Sequence, residues 1–80
     1  MKHYAVLGTC PLCGQGRQIL AVEDASQRSY VLCEDCEAEW MHPSEARQIE
    51  KATHGKFGRS TLITSEEAVD HPWKDFLIVS

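Results

Sequence analysis

Eighty residues, four cysteines in two close pairs, and a change of pattern at His42-Pro43-Ser44 together predict one fold class. It is a small α+β domain stapled by a metal ion. Antiparallel β-hairpins come first, then one helix over about 43–53 and a shorter one over about 65–71. Length makes the staple necessary: a chain this short buries only about 60–65% of its unfolded surface, so a single core is marginal alone. Composition is that of a globular chain, 42% hydrophobic and 25% charged, which excludes a disordered tail or a collagen-like repeat. We read residues 1–80 as one domain, with a β core over 4–41 and a helical extension over 42–80 packed on it.

Each element follows from local pattern. Tyr4-Ala5-Val6-Leu7 is short, apolar and β-prone, a first strand leading into the first cysteine pair. Arg17-Gln18-Ile19-Leu20-Ala21-Val22-Glu23 is a strand with an apolar middle, and Asp24-Ala25-Ser26-Gln27-Arg28 carries turn chemistry. Ser29-Tyr30-Val31-Leu32 returns into Cys33, so the spacer between the pairs is a hairpin. Glu37-Ala38-Glu39-Trp40-Met41 is expected as a further strand beside the first. Pro43 then suits the start of a helix, Glu45 to Ala52 is helix-forming with a thin stripe of Ala46, Ile49 and Ala52, and Gly55 is a stop. Residues 54–59 read as a polar loop. Thr64-Ser65-Glu66-Glu67 fits a capping box, and Pro72 ends the second helix by pushing His71 out of the helical region. The tail is too apolar to be loose, and Trp73, Phe76 and Leu77 or Ile78 are expected to dock on the core.

The cysteines are spaced C-x2-C, nineteen residues, C-x2-C, within the range of a zinc site. A C-x2-C segment folds into a knuckle that aims two sulfurs at one point. Two knuckles supply four thiolates in a tetrahedron, with Zn–S near 2.3 Å. Pro11 fixes φ within the first turn and Gly14 can take the positive φ that follows it. In the second knuckle Glu37 stands where glycine would, at about 1–2 kcal/mol if left-handed. Disulfides would use the same residues, with three connectivities open to four cysteines. The N-terminal apolar run is too short for a secretory leader, so the thiols are expected to stay reduced in a cytoplasmic protein. Iron in a rubredoxin-like site uses the same four sulfurs, and spacing alone leaves it open. A redox pair needs only one C-x2-C. The assignment is one structural Zn²⁺ held by Cys10, Cys13, Cys33 and Cys36. Four protein ligands leave no open position for substrate, and no Ser-His-Asp or Cys-His arrangement can be argued, so no enzyme activity is expected.

Residues 4–41 resemble a zinc ribbon: strand, Cys10-Pro11-Leu12-Cys13-Gly14, hairpin, Cys33-Glu34-Asp35-Cys36, strand. The pattern is specific for a fold and says little of function. Together with Leu32, Glu37-Ala38-Glu39-Trp40, Thr64-Ser65-Glu66-Glu67-Ala68 and Trp73, it is also similar to small bacterial ribbon proteins that serve as immunity proteins in polymorphic toxin systems. That resemblance implies a cytoplasmic protein that blocks a cognate toxin by binding it, and assigns no binding residue.

Charge points the same way. The chain carries 8 Lys+Arg against 12 Asp+Glu, a formal −4, and four thiolates around one Zn²⁺ deepen this to about −6. From Glu23 to Glu50 eight acids face two bases, Arg28 and Arg47. Such a field steers a basic protein partner, for example a nuclease-like toxin, and opposes nucleic acid. Glu34, Asp35, Glu37, Glu39 and Trp40 are the candidate contact residues, tryptophan being frequent at interface hot spots. A solvated face that only keeps the chain soluble is the plainer reading of the same acids. The alternative function is a nucleic-acid-associated ribbon. It rests on Lys51, Lys56 and Arg59 around Phe57, in a stretch without acids, with Phe57 stacking on a base. His3, His42, His54 and His71 are not expected as ligands once four cysteines complete the tetrahedron, with His42, six residues past Cys36, the replacement should one cysteine fail. No membrane segment is expected, and the sequence leaves the oligomeric state open.

Overall fold

The apolar run at residues 19–22 forms the middle of the fold. The computed structural model describes residues 3–78. Five strands form one antiparallel sheet: β1 (Val6–Thr9), β2 (Arg17–Glu23), β3 (Ser29–Cys33), β4 (Glu39–Trp40) and β5 (Ser60–Leu62). β2 is buried through Gln18, Ile19, Leu20 and Ala21 because it has neighbours on both sides. β3 pairs along its length on one side (Leu20 opposite Val31, Ala21 opposite Tyr30). On its other side β1 pairs with its first half and β5 with its second. The hairpin from β2 to β3 has the expected bounds, and Gln27 closes it in a left-handed conformation at φ 60°.

Register gives the sheet two unlike faces. One carries Leu20, Val31, Cys33 and Trp40. Val31, Cys33 and Trp40 pack with Cys10 and Ala38, while Leu20 packs with Ala5 and Ala68 and reaches Trp73 and Leu77. The other face carries Tyr30, Leu32, Glu39 and Leu62. Phe57 lies flat on Tyr30 there, with ring centroids 3.9 Å apart.

The expected helices are corrected: no helix of seven residues or more occurs among the described residues. Residues 43–53 hold two 3-10 turns, Pro43–Glu45 and Ile49–Lys51, with Gln48 extended between them (φ −99°, ψ 102°). The physical reason lies in their carbonyls. In an α-helix Ala46 O would accept from residue 50 and Gln48 O from residue 52. Instead Gln18 Nε2 donates to Ala46 O at 2.8 Å, and Trp40 Nε1 donates to Gln48 O at 3.0 Å. Thr53 is drawn back to the sheet, exchanging both backbone bonds with Glu39 at 2.8 Å. The apolar stripe is too thin to oppose this, and Ile49 remains 51% exposed.

The second helix likewise reduces to 3-10 turns, Glu67–Asp70 and Lys74–Phe76. Its capping box does form. Thr64 N donates to Glu67 Oε1 at 2.9 Å, and Glu67 N donates to Thr64 Oγ1 at 3.2 Å. Pro72 holds His71 extended (ψ 142°), leaving no length for propagation. Of the tail residues, Trp73 and Leu77 dock, whereas Phe76 and Ile78 stay exposed. Two strands also differ from expectation. β4 pairs with β3 and not with β1, and β5 forms at Ser60–Leu62, just after the expected polar loop, where no strand is expected from the sequence. No helix among the described residues is long and apolar enough to cross a membrane.

Candidate metal centre

The two knuckles are near-copies in backbone. Gly14 N donates to Cys10 O at 2.9 Å, and Glu37 N donates to Cys33 O at 3.2 Å. Each donor sits at positive φ, 73° for Gly14 and 64° for Glu37. Glu37 thus takes the strained conformation that its position in the motif implies, at about 1–2 kcal/mol. Cys10 N donates to Gly16 O and Cys33 N to Ala38 O, closing each loop onto its strand.

These loops bring Cys10, Cys13, Cys33 and Cys36 together with every Sγ within 4.8 Å of the others. Cys10 to Cys36 is 3.8 Å and Cys13 to Cys33 is 3.7 Å. Neither is a disulfide, and all four cysteines are free. A tetrahedron with Zn–S near 2.3 Å has S···S edges of about 3.8 Å, so the donor set fits a four-thiolate metal. Cys10 and Cys33 are buried while Cys13 and Cys36 are half-buried.

Backbone amides point at the sulfurs. Gly16 N donates to Cys13 Sγ, and Asp35 N and Cys36 N both donate to Cys33 Sγ, each at 3.4 Å. Bonds from the Gln15 and Gly16 amides pull the Cys13 thiol down to about 6, whereas burial raises Cys33 and pushes Cys36 up to about 12. The Cys13 thiolate forms readily at neutral pH, whereas Cys33 and Cys36 ionise only against a cation.

Gly16 is a feature that spacing alone misses. A Cβ there would lie 2.6 Å from Cys33 Sγ and 2.6 Å from Asp35 Cβ, so the backbone of one knuckle touches a sulfur of the other. Arg17 forks onto Glu34, Nε donating to Oε2 at 2.5 Å and a terminal nitrogen to Oε1 at 2.9 Å, and this holds the Glu34 carboxyl below its ordinary range.

The candidate contact residues separate. Glu34, Asp35 and Glu37 are exposed around the second knuckle. Glu39 and Trp40 are buried, so they build the interior behind that surface and are not presented to a partner. The Glu39 carboxylate accepts from Thr53 Oγ1, Lys56 N and Phe57 N. In the basic stretch, Phe57 is committed to Tyr30 and not free for a base, and Lys56 Nζ lies 3.2 Å from Met41 sulfur.

The four clustered cysteines are consistent with a zinc-ribbon-like site, and no family match supports the resemblance to immunity proteins. In comparisons with known proteins, no family model, no curated protein and no solved structure matches this chain.

Proposed function

We propose that this protein is a non-enzymatic binding module, stapled by one structural Zn²⁺, that neutralises a basic, nuclease-like toxin by stoichiometric contact in the cytoplasm. The four-sulfur cluster carries the metal part of this reading. It supplies a complete coordination sphere from protein and so leaves no position for substrate. The eight acids against two bases between Glu23 and Glu50 support the basic partner.

Two experiments test it. Metal analysis of the purified protein is expected to give one zinc per chain, and a chelator is expected to abolish the tertiary fold, as is Cys33→Ser. Visible absorption of a four-thiolate iron site in metal-loaded protein, or full structure of Cys33→Ser in chelator, overturns the zinc staple. For the partner, a toxin encoded beside this gene is expected to be bound one to one and its toxicity suppressed on co-expression. Failure to bind or protect overturns the immunity reading and leaves the metal reading intact.

A further inference from the structure

The face of the sheet opposite the main core is only partly roofed. Residues 54–58 cover one side of it, with Phe57 on Tyr30. Between that loop and the second knuckle lies a groove of about 690 Å³. Its floor includes Leu32 and Leu62, both half-buried, and one wall carries Asp35, Cys36 and Glu37. No Lys or Arg lines it among the described residues, and His54 stands on the loop side. Glu34 at its rim is neutralised by Arg17, and Glu39 at its base is occupied by Thr53 and two backbone amides. Among the described residues the Asp35 carboxylate accepts only from neutral Gln15, and the Glu37 carboxylate has no hydrogen-bond partner. Cys36, half-buried, also lines the groove, while the Cys33 side chain lies on the other face; a loaded four-thiolate centre would add its net negative charge behind this wall.

We infer that this groove receives an extended, Lys- or Arg-bearing segment of a protein partner. Its apolar side chains lie on Leu32 and Leu62, and its cations lie against Asp35, Glu37 and the thiolate centre. Charge and shape together select the occupant: an apolar floor suits alternate side chains of an extended chain, while a wall carrying Asp35 and Glu37 repels nucleic acid and acidic segments. The inference rests on the basic-partner reading above and adds where the partner sits.

The test uses the zinc-loaded full chain, a short peptide alternating lysine and leucine, and its glutamate–leucine counterpart. The lysine peptide is expected to bind and to shift the amide signals of Leu32, Phe57 and Leu62, and the glutamate peptide is not. Asp35→Lys with Glu37→Lys is expected to weaken binding roughly tenfold, while Glu50→Lys with Glu66→Lys, equal in charge change but off the groove, leaves it intact. Should the first pair lose zinc, Leu62→Lys, away from the knuckles, is expected to give the same loss. Equal weakening by both pairs, signal shifts elsewhere, displacement of the peptide by single-stranded RNA, or self-association in place of binding overturns the inference. Measured in parallel, a toxin still bound tightly by the groove variants overturns the groove alone, and no basic ligand bound by the intact protein overturns both readings.

Discussion

Glu39 offers the sharpest test of how the fold holds its groove. It is 4% exposed, and its carboxylate accepts from Thr53 Oγ1 at 2.9 Å, Lys56 N at 3.1 Å and Phe57 N at 3.3 Å. A charged acceptor strengthens each bond to about 1.5–3 kcal/mol, and the longest of the three lies at the low end. Glu39→Ala removes all three, and water entering the vacated space recovers part of the loss. The net cost is about 3–4 kcal/mol, a large fraction of the 5–15 kcal/mol typical of a small domain. Each kcal/mol shifts Tm by about 4–8 °C at this size, so a fall of more than about 12 °C is expected in zinc-loaded protein. Glu39→Gln keeps the shape but turns one oxygen into an amide donor facing a backbone N–H. Its expected loss is smaller, about 1–2 kcal/mol, concentrated at Phe57. Hydrogen exchange should speed up at the Lys56 and Phe57 amides in both variants. A Glu39→Ala protein that melts within about 4 °C of the parent, with those two amides still protected, would refute the argument that this buried carboxylate holds the loop.

Three further outcomes are expected. Gly16→Ala drives a methyl against Cys33 Sγ, and should lower zinc affinity by tenfold or more in competition with a colorimetric chelator; unchanged affinity would show that the knuckles separate freely. Glu37→Gly relieves the left-handed strain at φ 64° while adding backbone entropy to the unfolded chain, a net gain of about 0.5–1 kcal/mol and a Tm increase of a few degrees; a lower Tm would refute it. His71 accepts from Trp73 N through Nδ1 at 3.0 Å, so its proton sits on Nε2 and donates to Ser29 Oγ at 3.1 Å. Burial lowers its pKa from 6.5, so the unfolded chain binds the proton more readily, and the stabilisation is complete above pH 6.5 and lost as pH falls through the folded value. The Tm advantage of the parent over His71→Asn should shrink below pH 6.5, and an advantage that grows on acidification would reverse the assignment.

The clustered cysteines are the most legible part of this protein, because a knuckle is a local device whose four residues and their spacing encode the geometry. Glu37 is the clearest case. It stands where glycine is expected in the motif, a position whose left-handed conformation the backbone adopts at φ 64°. The β2–β3 hairpin is equally local, since an apolar run, a five-residue turn and a second run leave one economical pairing. The capping box at Thr64 and the break at Pro72 are local too, and both form.

The helices and the surface were decided elsewhere. Residues 43–53 have helix-forming composition, but Gln18 and Trp40, more than twenty and fewer than ten residues away, take the carbonyls that a helix would use. No local pattern records that competition. The acids around the second knuckle look alike in sequence, yet Glu34 is spent on Arg17, Glu39 is buried beneath the 53–57 loop, and Asp35 and Glu37 face the groove. The sequence by itself determined the four sulfurs, the hairpin between them and the sign of the charge, since these depend on near neighbours and on counting. Only the tertiary structure decided which carbonyls, carboxylates and aromatic rings are already taken, because hydrogen-bond partners and burial are set by residues far apart in the chain.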